Sequence, residues 1–233
     1  MARAFAAGTV VAPSILSADF AHMARDCAGV LQAGATALHL DVMDGHFVPN
    51  LTMGSDMCRS LRRAFPDVVL DVHLMIEDPA AYVVPFAEAG ADHVTFHIEA
   101  TGPDEALAIA ADLHGRGVSA GIAINPDTPA SAIEGLLDEF ELALVMSVHP
   151  GRSGQAFIEH TLEKTARLRN AGGERLRVQM DGGVGPANAE RVREAGCDVL
   201  VAASAIFGKP EAERGGVIRE LLGKVPDRAS QAR

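Results

Sequence analysis

Leu38-His39-Leu40-Asp41-Val42-Met43-Asp44-Gly45, running on into His46-Phe47-Val48-Pro49-Asn50, is an apolar run interrupted by a His and an Asp two residues apart. It has the make-up of a buried strand that breaks at Gly45 into a polar loop. Side chains alternate along a strand, so His39, Asp41 and Met43 share one side while Leu40 and Val42 take the other. Ionisable groups inside an apolar strand carry a free-energy cost unless they are paired or bound to a metal. Taken alone, the pair reads equally well as a buried His–Asp hydrogen bond and as part of a site.

Working outward, the same kind of strand recurs. Strands are predicted at residues 10–16, 37–43, 68–75, 93–99, 119–125, 142–148, 176–180 and 199–203. Between them the pattern predicts helices at 20–32, 53–65, 79–90, 104–114, 130–139, 158–170 and 188–195, with a last one at 212–222. Ser17 or Asp19 can cap the first helix, Gly34 follows its end, and Pro66 stops the second. Eight strand–helix units at spacings of about 23 to 34 residues argue for a parallel sheet with crossover helices. At this length they fit a (β/α)8 TIM barrel better than an open doubly wound sheet, whose Gly-x-Gly-x-x-Gly fingerprint is missing. The expected organisation is a single α/β domain over residues 1–233, with its core at about 10–222 and a frayed polar tail at 226–233. Ala33-Gly-Ala, Ala89-Gly-Ala and Ala195-Gly-Cys read as helix-ending turns, not as a solenoid period.

Composition narrows the function classes. Hydrophobic residues make up 48% and charged residues 22%, as in ordinary globular proteins. A net charge of −11 argues against nucleic-acid partners but leaves room for a small phosphorylated substrate held by backbone N–H groups. Cys27, Cys58 and Cys197 are scattered and odd in number, which predicts a reducing compartment and buried thiols. No apolar run is long enough to span a membrane, and the first eight residues do not read as a signal peptide. A cytoplasmic protein is expected, and closed symmetric homo-oligomers are common for such enzymes.

Barrel enzymes place their sites at the C-terminal ends of the strands. The polar residues there are Ser14, His39, Asp41, His73, His97, Glu99, Asn125 and Asp181. Parity puts Asp71, His73 and Met75 on one side of the third strand, matching His39, Asp41 and Met43 on the second. His39, Asp41, His73 and Asp181 therefore form a candidate ligand set for Zn2+, Fe2+ or Mn2+. Met43, Met75 and Met146 stand at equivalent strand ends, either as core packing or as an apolar lid over the reacting carbon. Glycine-rich turns follow strands six to eight, at Gly151-Arg152-Ser153-Gly154, Gly182-Gly183 and Ala203-Ser204. Phosphate sites of barrels commonly lie on that side; Arg152 is either a cation for it or a solvated loop residue.

Pro13-Ser-Ile-Leu-Ser-Ala-Asp-Phe20, His39-Leu-Asp-Val-Met-Asp-Gly-His-Phe-Val-Pro-Asn50, Asp71-Val-His-Leu-Met75, Met146-Ser-Val-His-Pro-Gly151, Asp181-Gly-Gly-Val184 and Ser204-Ala-Ile-Phe207 together closely resemble ribulose-phosphate 3-epimerases. The resemblance implies a (β/α)8 barrel interconverting D-ribulose 5-phosphate and D-xylulose 5-phosphate, a step of the pentose phosphate pathway. It also implies one divalent ion per subunit (Zn2+ or Fe2+, with Mn2+ or Co2+ as further options) on His39, Asp41, His73 and Asp181. Asp41 and Asp181 would be the acid/base pair. Ser14, His73, Gly151, Arg152, Ser153, Gly154, Asp181, Gly182, Gly183, Ala203 and Ser204 would contact substrate. Inverting a carbon beside a carbonyl does need a base on one face and an acid on the other. The enediolate formed between them calls for nearby positive charge.

Three places depart from the family pattern: His149 stands where Asn is usual, Arg152-Ser153 replaces a Phe-Gly or similar pair, and Ala203 replaces Gly. They raise an epimerase for another ketose phosphate as the nearest alternative. Related decarboxylases carry Asp-x-Lys-x-x-Asp at a strand end, and Met43 stands where that Lys would be. A non-catalytic metal-binding barrel is disfavoured by the presence of both Asp41 and Asp181.

Overall fold

The chain forms eight parallel strands that pair in the order β1-β8-β7-β6-β5-β4-β3-β2, in a computed structural model that describes residues 3–223. A bridge between Ser14 and His39 brings the ends of that series together and makes it a barrel. The strands are β1 (Val10–Pro13), β2 (Ala37–Met43), β3 (Val69–Met75), β4 (His93–His97), β5 (Ser119–Ile124), β6 (Leu142–Met146), β7 (Arg177–Asp181) and β8 (Val199–Ala202). The helices are α1 (Met23–Gln32), α2 (Ser55–Ala64), α3 (Ala80–Ala89), α4 (Ile98–Thr101), α5 (Pro103–Gly115), α6 (Thr161–Gly172), α7 (Ala189–Glu194), α8 (Ser204–Phe207) and α9 (Glu211–Leu221). No described helix is long and apolar enough to cross a membrane. The expected tail at 226–233 lies outside the described residues.

Strand alternation sorts the core into two layers. Leu38, Leu40 and Val42, with Leu70, Val72 and Leu74, face outward and pack under the helices. Val10, Ala12, Ala37, Val69, Leu142, Leu144, Val199 and Val201 fill the barrel interior. Every residue of β2 and β3 is buried, as befits strands covered on both faces. The expected lower bound of the core moves outward to Phe5, which joins the interior cluster and stacks on His93 with ring centroids 4.4 Å apart. Cys27, Cys58 and Cys197 are free and buried, and desolvation pushes each thiol up to about 12.

Several expected boundaries shift for local reasons. The first strand stops at Pro13, not 16, because the Ser14 hydroxyl accepts the Leu16 N–H (3.3 Å) and starts a 3-10 turn. The first helix begins as a 3-10 turn at Phe20–His22, capped by Asp19, and turns α-helical only at Met23. The fourth strand ends at His97 because Ile98–Thr101 coils into α4. In place of the helix expected at 130–139 there are two 3-10 turns, Ala130–Ala132 and Glu134–Glu139. Gly135 weakens an α-helix there, and the longer rise of a 3-10 turn spans β5 to β6 with fewer residues.

At the strand N-termini, two arginines clamp two aspartates. Arg62 of α2 binds Asp92 and donates to the carbonyls of Gly90 (2.8 Å) and Val68 (2.7 Å), while Asp92 accepts the Leu70 N–H (2.9 Å). Arg169 of α6 binds Asp198 and donates to the carbonyls of Gly196 (3.1 Å) and Leu176 (2.7 Å), while Asp198 accepts the Val178 N–H (2.9 Å). Both glycines lie at positive φ, 96° and 92°, and a Cβ on either would run into the arginine stem.

Candidate active site

Strand parity delivers four donors to one point at the opposite end. His39 and Asp41 come from β2, His73 from β3 and Asp181 from the end of β7, and one ligand atom of each lies within 4.8 Å of the others. His39 Nε2 is 3.4 Å from Asp41 Oδ1 and 3.9 Å from Asp181 Oδ2. His73 Nδ1 is 3.4 Å and 3.5 Å from the same two oxygens. His39, Asp41 and His73 are buried and Asp181 is nearly so.

The donor set has the mark of a cation site. His39 Nε2, Asp41 Oδ1 and His73 Nδ1 are buried atoms without a hydrogen-bond partner, and all three point into the cluster. Such orphans are expensive in a folded interior unless something satisfies them. Two imidazole nitrogens and two carboxylates suit Zn2+ or Fe2+. The four residues therefore fit a single divalent ion.

The outer polar atoms of His39, Asp41 and His73 are spoken for. His39 Nδ1 lies 2.7 Å from Asp71 Oδ2, which also accepts from Gln179 Nε2 at 2.6 Å across the barrel interior. The Ser14 hydroxyl donates to Asp41 Oδ2. His73 Nε2 lies 2.9 Å from His97 Nε2, and His97 Nδ1 lies 3.0 Å from Glu99 Oε2. Glu99 Oε1 accepts the Asn125 N–H (2.7 Å) and the Thr128 hydroxyl. The sequence placed His97 and Glu99 among the strand-end polar residues but gave them no task. Gln179 went unnoticed, although it is two residues before Asp181 and so faces the same way.

The electrostatics follow from this packing. Burial alone would lower the His39 pKa, but the Asp71 and Asp41 charges outweigh it and hold the imidazole well above its ordinary value. His73 is raised too, against burial, by the neighbouring Asp181 and Asp41 carboxylates. The carboxylates are driven apart: burial opposes ionisation of Asp41, yet His39 and His73 pull it below the carboxylate range. Burial and the neighbouring Asp41 charge raise Asp181. Burial pushes His97 down to about 4, and Glu99 sits at about 2 because its hydrogen bonds, His97 first, overcome desolvation.

Above the cluster opens a cavity of about 250 Å³. Asp41 and Asp181 lie in its wall, with Met43, Met75 and Met146 around them. Those methionines are nearly fully buried, so they are packing residues and cavity wall at once. Gly151, Arg152, Ser153 and Gly154 form one rim, and Gly182, Gly183, Ala203 and Ser204 the other. Ser14, His39 and His73 are fully buried beneath the wall, Ser14 and His73 each within reach of Asp41.

The rims are built for close approach. A Cβ on Gly183, at φ 63°, would meet the Phe157 nitrogen at 2.8 Å. Asn50 Nδ2 donates to the Gly151 carbonyl (2.8 Å), and Gln155 Nε2 ties back to those of His149 (2.7 Å) and Arg152 (2.9 Å). Ala203 has φ −102°, outside the left-handed region that favours glycine.

Comparison with known proteins agrees with this layout. Residues 10–207 match the family model described as the ribulose-phosphate 3 epimerase family. The chain is 47% identical over 204 residues to a ribulose-phosphate 3-epimerase of Mycobacterium tuberculosis, covering 86% of this chain and 87% of that one. It is 43% identical over 217 residues to the Bacillus subtilis enzyme of the same name, covering 91% and 98%. Among solved structures, KGPDC from Streptococcus mutans has a TM-score of 0.68 at 18% identity, covering 93% and 97%, a likeness of fold.

Proposed function

Because the chain belongs to the ribulose-phosphate 3-epimerase family, we propose that it inverts C3 of D-ribulose 5-phosphate to give D-xylulose 5-phosphate, and the reverse. The chain is an epimerase, an isomerase acting on sugar phosphates. The observation that carries the mechanism is the pair of carboxylates, Asp41 and Asp181, in the wall of one cavity with their proton affinities driven apart. A pair so separated suits one group to take a proton while the other supplies one.

Asp41 takes the C3 proton on one face of the substrate and Asp181 returns a proton to the opposite face; the roles exchange in the reverse direction. Ser14 fixes the Asp41 carboxylate by donating to its second oxygen. His39, Asp41, His73 and Asp181 would hold one divalent ion, Zn2+ or Fe2+ by donor type. When bound, that ion supplies positive charge where the enediolate oxygens become negative. Met43, Met75 and Met146 keep water from the reacting carbon. The Gly182-Gly183 turn and the Ala203-Ser204 backbone receive the phosphate, with Arg152 adding a cation from the facing loop. The altered loop at 149–153, which brings Arg152 and Ser153 to the cavity wall, favours a second reading, an epimerase for another ketose phosphate.

The test is to incubate metal-loaded and chelated protein in D2O with several ketose phosphates, following C3 deuterium uptake and epimer formation by NMR. Uptake is expected from ribulose 5-phosphate, with a loss of about 10²–10⁴ in rate for Asp41→Asn or Asp181→Asn. Absence of uptake from every substrate refutes the reaction. Uptake indifferent to chelation and to both variants refutes the mechanism.

A further inference from the structure

The two imidazoles of the cluster present different nitrogens to it, His39 its Nε2 and His73 its Nδ1. For His39 the reason is immediate. Asp71 occupies its Nδ1, so that nitrogen carries the hydrogen and Nε2 keeps a lone pair. His73 has no carboxylate at its far nitrogen; it has another histidine.

We propose that His97 and Glu99 are positioning residues that fix the tautomer of His73, so that its Nδ1 lone pair faces the cation site. The inference rests on the metal-site reading above. It is worked from the outside inward. Glu99 Oε1 accepts the Asn125 N–H and the Thr128 hydroxyl, and its carboxylate faces His97 as an acceptor too, so the Nδ1 there carries a hydrogen. Neutral His97 then has its lone pair at Nε2. The two rings lie with centroids 5.1 Å apart and planes 23° apart, which puts the 2.9 Å contact between Nε2 atoms near the ring planes. One hydrogen must sit between them, and it belongs to His73. His73 Nδ1 is left with a lone pair, and it is one of the buried atoms without a partner.

The far end of this relay is anchored. The Asn125 N–H and Thr128 hydroxyl hold Glu99 Oε1, and the Lys164 ammonium binds the carbonyls of Thr128 (2.6 Å) and Asn125 (3.2 Å) in the same loop. Glutamine at residue 99 inverts the relay. Its amide oxygen would be retained by Asn125, its NH2 would face His97, and the hydrogens of both rings would have to reverse.

The relay is tested on the full chain by two measurements. Zinc affinity is read by chelator competition for wild type, Glu99→Gln, His97→Phe, His97→Gln and His73→Ala, and 15N NMR of the zinc-loaded wild type reads the histidine tautomers without any substitution. Loss of such an outer partner weakens metal binding by about 10–100-fold, the drop expected for Glu99→Gln and His97→Phe. His97→Gln, whose amide can accept from His73 and donate to Glu99, should stay within about threefold of wild type. His73 should be protonated at Nε2. Protonation at Nδ1, or wild-type affinity in Glu99→Gln and His97→Phe alongside weakened binding in His73→Ala, overturns the relay alone. Wild-type affinity in His73→Ala overturns the metal site and the relay with it.

Discussion

At the strand N-termini, Asp92 is buried with an arginine on one oxygen, the Arg3 N–H (2.8 Å) on the other, and a strand N–H besides. At the strand C-termini, Asp41 is as deeply buried, yet one of its oxygens has no partner and its neighbours are two histidines with unpartnered ring nitrogens aimed the same way. Charged groups at the first end are paired within the fold. Those at the second end are held in place by their outer atoms and left open at their inner ones. The difference separates a group kept for stability from one kept for chemistry: the first has its partner built in, and the second has room for one.

The sharpest way to break that contrast is to remove charge at each end. Asp41→Asn should reduce C3 exchange by about 10²–10⁴-fold. The same substitution should lower the metal-free melting temperature by less than Asp92→Ala does, since one Asp41 oxygen has no hydrogen-bond partner to lose. A melting temperature that fell sharply would place Asp41 with the structural group. Asp92→Ala should do the reverse, removing about 3–5 kcal/mol of unfolding free energy in urea because Arg62 is left uncompensated, with kcat per folded molecule unchanged. Asp198→Ala should follow in the same direction with a smaller loss, since Asp198 is 27% exposed against 3% for Asp92.

A titration separates the ends again, more gently. His39, His73 and Asp181 have raised folded-state pKa values, so each contributes stability to the metal-free fold at low pH that is lost as pH rises through its folded value. Asp41 has a lowered one, and its contribution disappears only as pH falls below about 3.8. From pH 6.5 upward the metal-free melting temperature should therefore decline. The increment added by zinc should grow over the same range, because binding displaces those protons. Coincident curves with and without zinc would mean that the cluster does not bind it. The smallest effect is expected at the rim. Ala203→Gly should change stability by less than about 1 kcal/mol and leave KM within about twofold.

The barrel and the cluster of His39, Asp41, His73 and Asp181 were legible because both rest on short-range regularities. Eight strand–helix alternations specify the architecture, and the two-residue period of β2 and β3 puts His39, Asp41 and His73 on the inner face whatever the rest of the chain does. The outer supports were not legible. Glu99 reaches His97 by way of the α4 turn, and its other oxygen is held by a loop 26 residues further on, a meeting that no local pattern encodes. Ser14 was legible as a strand-end polar group but not as the partner of Asp41, since the 3-10 turn that withdraws it from the cavity begins with its own hydroxyl. The stretch at 130–139 misled for the same reason, its apolar spacing being helical while the distance it must bridge is not.

The two arginine clamps carry a last consequence. They repeat bond for bond on β3 and on β7, strands opposite one another in a ring of eight. If Leu70 corresponds to Val178, then Asp71 corresponds to Gln179, and these two meet at 2.6 Å through the middle of the barrel. Counting on, His73 corresponds to Asp181. The barrel thus has an approximate dyad along its axis, and the cluster straddles the point where that dyad leaves the strands. A symmetric frame offers the same position twice; this chain has filled one copy with an imidazole and the other with a carboxylate.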